Sequence, residues 1–278
     1  MNELHAETTA TEDAPLSAYE RAAEEVGDPR CIPQYLEEAP PVGSDIATPV
    51  YSDEHNQNWR YLFNRQMQLL PGRAGQSYMN GVRLLGMDDT GVPALRDLST
   101  RMEAATGWRI ARIPGLLHEK DFFKLLSERI FPSTDYIREK HELDYTPAPD
   151  CFHDMFGHMP MLTEPAVAYF YHLFGKTALN ATGIQRTWLE RLHWFTVEFG
   201  LIRQAEGLRI FGAGIISSKN EVTLALSDAV DVRDFSMEAV INQDYAVWHL
   251  QPRLFALESF EQLEDAFRHW TKKEGLSI

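Results

Sequence analysis

The chain has 278 residues, 44% hydrophobic and 11% aromatic, with 26 basic and 41 acidic side chains and a net charge of −15. That length and apolar fraction support one sizeable core and exclude a largely disordered chain, while the acidic excess argues against nucleic acid and anionic membrane surfaces as partners. With only two distant cysteines, Cys31 and Cys151, no leader-like start and no bilayer-length apolar run, the expected setting is the reducing cytoplasm.

In chain order, residues 1–50 carry scattered Pro, Glu, Asp, Ser and Thr with weak periodicity. They are expected to form a mobile or loosely packed arm ahead of a body over residues 51–278, with 1–15 mobile. Trp59, Leu62, Phe63, Met67 and Leu70 then follow helical spacing until Pro71-Gly72 stops it. A second helix fits 92–105, before Gly107. Residues 108–113 read as a strand, Pro114-Gly115 as a turn, 121–130 as a helix and 135–138 as another strand. Asp150 suits a helix N-cap. Helical patterns cover 165–178 and 187–205, a strand 208–211, a Gly-rich loop 212–214, a helix 219–226, a strand 247–257 and a last helix 260–273. Helices dominate and strands are few and short, so the fold class is mainly α in a single domain.

The densest chemistry lies in Pro149-Asp-Cys-Phe-His-Asp-Met-Phe-Gly-His-Met-Pro160. Its histidines, His153 and His158, are five residues apart. On an ideal α-helix that separates them by roughly 140°, so both face one ion only if the backbone departs from ideal. Gly157 makes a departure cheap, and Pro160 marks the end of a plain helix. Cys151 is a possible third ligand, although a buried structural thiol is its more ordinary role. Glu198 sits in the apolar run Trp194-Phe-Thr-Val-Glu-Phe-Gly-Leu201. A buried carboxylate is costly unless it meets a cation, an arginine or a metal. Two neutral imidazoles and one carboxylate form the facial set of non-haem Fe(II) oxygenases. The spacing alone does not choose iron over zinc.

These motifs carry a resemblance. Tyr145-Thr-Pro-Ala-Pro-Asp-Cys-Phe-His-Asp-Met-Phe-Gly-His-Met-Pro160, Trp194-Phe-Thr-Val-Glu-Phe-Gly-Leu201 and Phe211-Gly-Ala-Gly-Ile-Ile-Ser-Ser218 resemble the pterin-dependent aromatic amino acid hydroxylases, most of all the short bacterial phenylalanine 4-hydroxylases. The likeness runs over about residues 51–257. It implies a catalytic domain of that type over 51–278, one Fe(II) held by His153, His158 and Glu198, a tetrahydropterin cosubstrate and O2.

By the same resemblance, Arg138 holds the substrate carboxylate, where a guanidinium fork would pair bidentately; a surface salt bridge is its ordinary alternative. Ser217 shapes that end of the site, or else caps the next helix. Trp194, Phe199 and Pro149 wall the substrate ring, although core packing explains such residues equally well. Phe122 stacks on the pterin, backbone groups of Gly115, Leu116 and Leu117 meet its edge, and Asp154 reaches the pterin or a metal-bound water. His193 is a departure, because the family usually has Tyr immediately before the Trp-Phe-Thr-Val-Glu run. Near neutral pH an unperturbed imidazole changes charge, so His193 is expected to be neutral in the active form, to alter pterin positioning and to make activity fall as pH drops through its pKa.

The resemblance implies that O2 is divided between the ring and the pterin, with phenylalanine giving tyrosine. Trp194 favours phenylalanine, since tryptophan-specific relatives tend to carry a smaller aromatic there. Tryptophan hydroxylation and phenylalanine 3-hydroxylation are the near rivals, and a zinc hydrolase or a non-catalytic pterin or amino acid sensor the distant ones. The chain lacks the regulatory domain and coiled-coil tail of animal relatives, so a monomer is expected, functionally coupled to pterin-recycling enzymes.

Overall fold

The structure is a computed structural model, and the residues it describes are 21–22, 27–247 and 249–278. Ser52 accepts from the His55 amide and opens the helix Asp53–Leu69, which buries Trp59, Leu62 and Phe63. Its buried Gln66 donates from Nε2 to the Ile216 carbonyl at 2.5 Å, a long-range bond from this helix to a segment of the site. The helix Gln76–Leu84, with no counterpart in the sequence reading, contributes a second. Its buried Tyr78 hydroxyl donates to the Phe156 carbonyl at 2.8 Å, between the two histidines. The next helix, Leu95–Thr106, ends on Gly107 in the left-handed region (φ 75°), as glycine allows without steric cost.

Two small sheets frame the helices. Strand β1 (Arg109–Arg112) pairs parallel with β2 (Ile130–Ser133) around the intervening helix Glu119–Ser127. Strands β3 (Gly200–Gln204), β4 (Gly207–Ile210), β5 (Asp231–Asp234) and β6 (Arg253–Leu257) form a sheet in the order β4-β3-β6-β5. The β3–β4 pair is an antiparallel hairpin, while β6 is parallel to both its neighbours. Helix Pro165–Ala178 and the last helix, Phe260–Lys273, complete the core through contacts such as Phe170 on Phe267.

Several expectations need correction. Residues 135–138 are not a strand; the partner of β1 is Ile130–Ser133, which the helix expected over 121–130 partly overlapped. The helix expected over 187–205 ends at Glu198, and Gly200–Gln204 turns into β3. Its helical periodicity hid a strand buried among apolar neighbours. Of the loop expected over 212–214, residues 213 and 214 instead open the short helix Ala213–Ser217. The strand expected over 247–257 begins only at Arg253. The arm expected to be mobile at 1–15 lies outside the described residues. Residues 27–50 touch the body, where Val42 bridges Ala111, Ile46 is buried, and the Cys31 thiol donates to the Pro147 carbonyl.

Candidate metal centre

Both histidines come from one short element. Asp150 caps its start, accepting from the His153 amide at 3.1 Å, and His153–His158 then runs as a π-helix. In an i→i+5 turn, residues five apart fall on one face, as i and i+4 do in an α-helix. That is the departure the five-residue spacing required. Its cause differs from expectation, since Gly157 has no positive φ. Instead, a Cβ there would meet the Ala213 carbonyl at 3.1 Å and the Ala213 Cβ at 3.3 Å. Glycine lets the helix Ala213–Ser217 lie against the π-turn.

The carboxylate is delivered by a second π-helix, Trp194–Glu198, closed by the Phe199 amide donating to the Trp194 carbonyl at 2.8 Å. Gly212 permits the crossing behind it, where a Cβ would come within 2.4 Å of the Glu198 carbonyl.

The three side chains converge. His153 Nε2 lies 3.0 Å from His158 Nε2, His158 Nε2 lies 3.2 Å from Glu198 Oε1, and His153 Nε2 lies 3.7 Å from Glu198 Oε2. One ligand atom from each falls within 4.8 Å of the others. Donors about 2.1 Å from a shared ion would sit about 3.0 Å apart at right angles and about 3.4 Å apart at tetrahedral angles. The 3.0 and 3.2 Å spacings fall within that range and the 3.7 Å spacing lies just above it, so the three side chains surround a space the size of one ion.

The far nitrogens are also held. The Ser217 hydroxyl donates to the Ala213 carbonyl at 2.8 Å, so toward His153 Nδ1, 2.9 Å away, it offers a lone pair. His153 then carries its proton on Nδ1 and turns a bare Nε2 inward, as a metal requires. His158 Nδ1 lies 3.1 Å from the buried Tyr171 hydroxyl. Burial pushes His153 down to about 4, against the pull of Glu198. For His158 burial acts in the same direction, but the attraction and hydrogen bond of Glu198 outweigh it and raise the group. Burial likewise opposes ionisation of Glu198, yet the histidines hold it well below the usual carboxylate range. His153 is thus a neutral imidazole and Glu198 an ionised carboxylate, both ready donors, while Glu198 favours a proton on His158 that a bound cation would displace. Cys151 is fully buried, with its thiol pushed well up by burial, and is not in that set.

Two cavities meet at this cluster, and Pro149, His153, Trp194 and Glu198 line both. The first, about 280 Å³, also has Arg138, Phe199, Gly214 and Ser217 in its wall. Tyr136 donates to the Pro149 carbonyl and steadies that shared edge. The second, about 170 Å³, is lined by Gly115, Leu116, Leu117, Phe122, Asp154 and His193. Of the residues assigned from sequence to the substrate, Arg138, Phe199 and Ser217 line only the first cavity and Trp194 and Pro149 line both, while those assigned to the pterin line only the second.

Arg138 differs from expectation in its bonding. It is buried, and its fork is committed to Asp150, with Nε donating at 2.8 Å and Nη2 at 2.7 Å. A substrate carboxylate would meet the rest of that guanidinium. Asp154 accepts from the Thr134 amide and hydroxyl at 2.8 and 3.0 Å, while burial pushes its carboxyl up to about 7. The cap of helix Lys219–Leu224 is Ser218 rather than Ser217.

His193 lies edge-on to Phe122, with Nδ1 3.9 Å from Glu198 Oε1 and Nε2 buried with no hydrogen-bond partner among the described residues. Burial lowers it to about 4, so the ring is neutral near pH 7, and the charge change expected in the working range is moved to lower pH. Asp150, Tyr171 and Thr134 were absent from the sequence assignment. Asp150 was signalled by its place in the motif, whereas Tyr171 and Thr134 carry no local signal.

Comparison with known proteins gives a consistent result. Residues 39–276 match the family model of biopterin-dependent aromatic amino acid hydroxylases. Phenylalanine-4-hydroxylase of Chromobacterium violaceum is 43% identical over 218 residues, covering 78% of this chain and 73% of its own. Its crystal structure with iron(III) and oxidised 7,8-dihydrobiopterin superimposes with a TM-score of 0.77 at 40% identity, over 80% of this chain and 82% of that one. Phenylalanine hydroxylase of Legionella pneumophila gives a TM-score of 0.77 at 38% identity, over 79% and 90%.

Proposed function

This chain belongs to the biopterin-dependent aromatic amino acid hydroxylases, and on that footing we propose that it converts L-phenylalanine to L-tyrosine with Fe(II), a tetrahydropterin and O2, residues 51–278 forming the catalytic domain. The observation that carries this reading is the meeting of two cavities at one His153–His158–Glu198 cluster. A reaction joining an amino acid, a pterin and a metal needs such a junction.

His153, His158 and Glu198 would hold the ion. When bound, iron and pterin together supply the activation of O2, one oxygen atom ending on the ring and the other on the pterin. This chain's residues supply the rest. Arg138 and Ser217 bind the amino acid carboxylate, Arg138 through the guanidinium edge that Asp150 leaves available. Trp194, Phe199 and Pro149 hold the ring against the metal face and exclude water from it. On the other side Phe122 stacks on the pterin, the backbone at Gly115, Leu116 and Leu117 orients its edge, and Asp154 and His193 flank it. Fixing both partners within reach of one ion converts a multi-body encounter into an ordered one.

No helix among the described residues is long and apolar enough to cross a membrane, and Cys31 and Cys151 are both free. These features support action in the cytoplasm. There we take the chain to work as a monomer beside enzymes that return the oxidised pterin to its reduced form.

Metal replacement tests the reading. Fe(II)-loaded protein is expected to form tyrosine in proportion to iron content, the zinc-loaded protein to form none, and Glu198→Ala to lose tight iron binding. Full turnover by a zinc-only preparation would contradict it.

A further inference from the structure

Trp194 stands in the wall shared by the two cavities, so the tilt of its indole shapes the space on both sides. Its ring stacks on Tyr245 at 4.3 Å and packs on Phe199 at 4.6 Å. Stacking fixes the plane of an indole, and its N–H, donating to Gln251 Oε1 at 3.1 Å, adds a directional restraint within that plane.

Gln251 is itself immobilised. It is 2% exposed, and its side-chain amide donates to the carbonyls of Ala246 and His249 at 3.0 and 2.6 Å. Its backbone amide donates to Glu221 Oε1 at 3.1 Å. Ser218 and Glu221 have the spacing of a capping box, and Ser218 Oγ does accept from the Glu221 amide. The Glu221 carboxylate does not complete the box; it turns to Gln251 and leaves Oε2 buried with no hydrogen-bond partner among the described residues. A buried carboxylate half-satisfied in this way is costly. Its placement serves the Gln251 contact rather than the helix end.

We infer that Gln251, anchored by Glu221, is a positioning residue that orients the Trp194 indole and thereby sets which aromatic side chain the amino acid cavity accepts. The inference rests on reading the cavity of Arg138 and Ser217 as the amino acid site. Without the Gln251 acceptor the indole turns to seek another partner, and the cavity becomes more tolerant of a larger ring.

The test is Gln251→Met, which keeps the volume and removes the acceptor. A neutral hydrogen bond shifts an equilibrium by about threefold to tenfold, so the ratio of kcat/KM for phenylalanine over tryptophan should fall by about that factor. Iron content should stay at the wild-type value. In a Trp194→Phe background, which has no indole N–H, Gln251→Met should leave the ratio where Trp194→Phe alone put it.

An unchanged ratio in folded, iron-loaded Gln251→Met would overturn the inference, as would an equal effect in the Trp194→Phe background. Should Gln251→Met not fold, the wild-type indole proton decides. It is identified as the NMR resonance lost in Trp194→Phe, and slow exchange with solvent is expected, while exchange as fast as an exposed indole overturns the inference. A wild-type enzyme that hydroxylates neither amino acid would overturn the functional reading and the inference with it.

Discussion

At the scale of single residues, the metal ligands matter less to this account than what lies behind them. Ser217 and Tyr171 hold the outer nitrogens of His153 and His158, and such partners fix ring orientation and basicity. Tyr171→Phe removes one hydroxyl inside the core and should weaken iron binding by about 10- to 100-fold. Iron titration checks this, with circular dichroism to show that the fold is kept; unchanged affinity would make the contact incidental. Arg138→Lys keeps a cation near Asp150 but loses the planar fork. The KM for phenylalanine should rise by about tenfold or more, with the KM for the pterin nearly unchanged. Equal rises in both constants would mean that the Arg138–Asp150 pair is structural only.

At the scale of elements, the site is built from two π-helices packed on a short helix, and the packing depends on glycine. Gly157→Ala would press a methyl against the Ala213 backbone at 3.1 Å. Overpacking of this kind costs about 1–3 kcal/mol, and the displaced helix carries Ser217. A Tm lower by several degrees and weaker iron binding are expected together; a variant matching wild type in both would show that the backbone gives way freely. The same elements show what the sequence made legible. The end helices and β1 were readable because caps, glycine stops and apolar spacing agreed. The ligand set was readable because a carboxylate in an apolar run and two spaced histidines both need explaining. The π-turns were not, beyond the inference that an ideal helix would fail at His153–His158. Nor was β3, since Gly200–Gln204 is apolar enough to continue the helical pattern before it. Contacts such as Tyr78 to Phe156, or Tyr171 to His158, join distant segments and leave no mark on local periodicity.

At the scale of the whole molecule, folding buries Glu221, and this should appear in the pH dependence of stability. Burial raises its carboxyl from 4.5 to about 7. Between those values the folded state binds more protons than the unfolded state, so this group's contribution to stability falls as pH rises through that window. Glu221→Gln has no such group. Its Tm relative to wild type should therefore increase between pH 5 and pH 8, and a difference that stays flat would contradict burial of an ionisable Glu221. The larger consequence of the fold is the junction itself, two cavities meeting at the His153–His158–Glu198 cluster, which we propose to be the amino acid and pterin sites. Its most direct test is product analysis by chromatography and NMR after Fe(II)-loaded protein has been incubated with tetrahydropterin, O2 and an equimolar mixture of phenylalanine and tryptophan. The account predicts L-tyrosine as the dominant product, hydroxylated at the ring 4-position and formed in step with pterin oxidation. Hydroxylation at the 3-position, a preference for tryptophan, or pterin oxidation with no hydroxylated amino acid would contradict it.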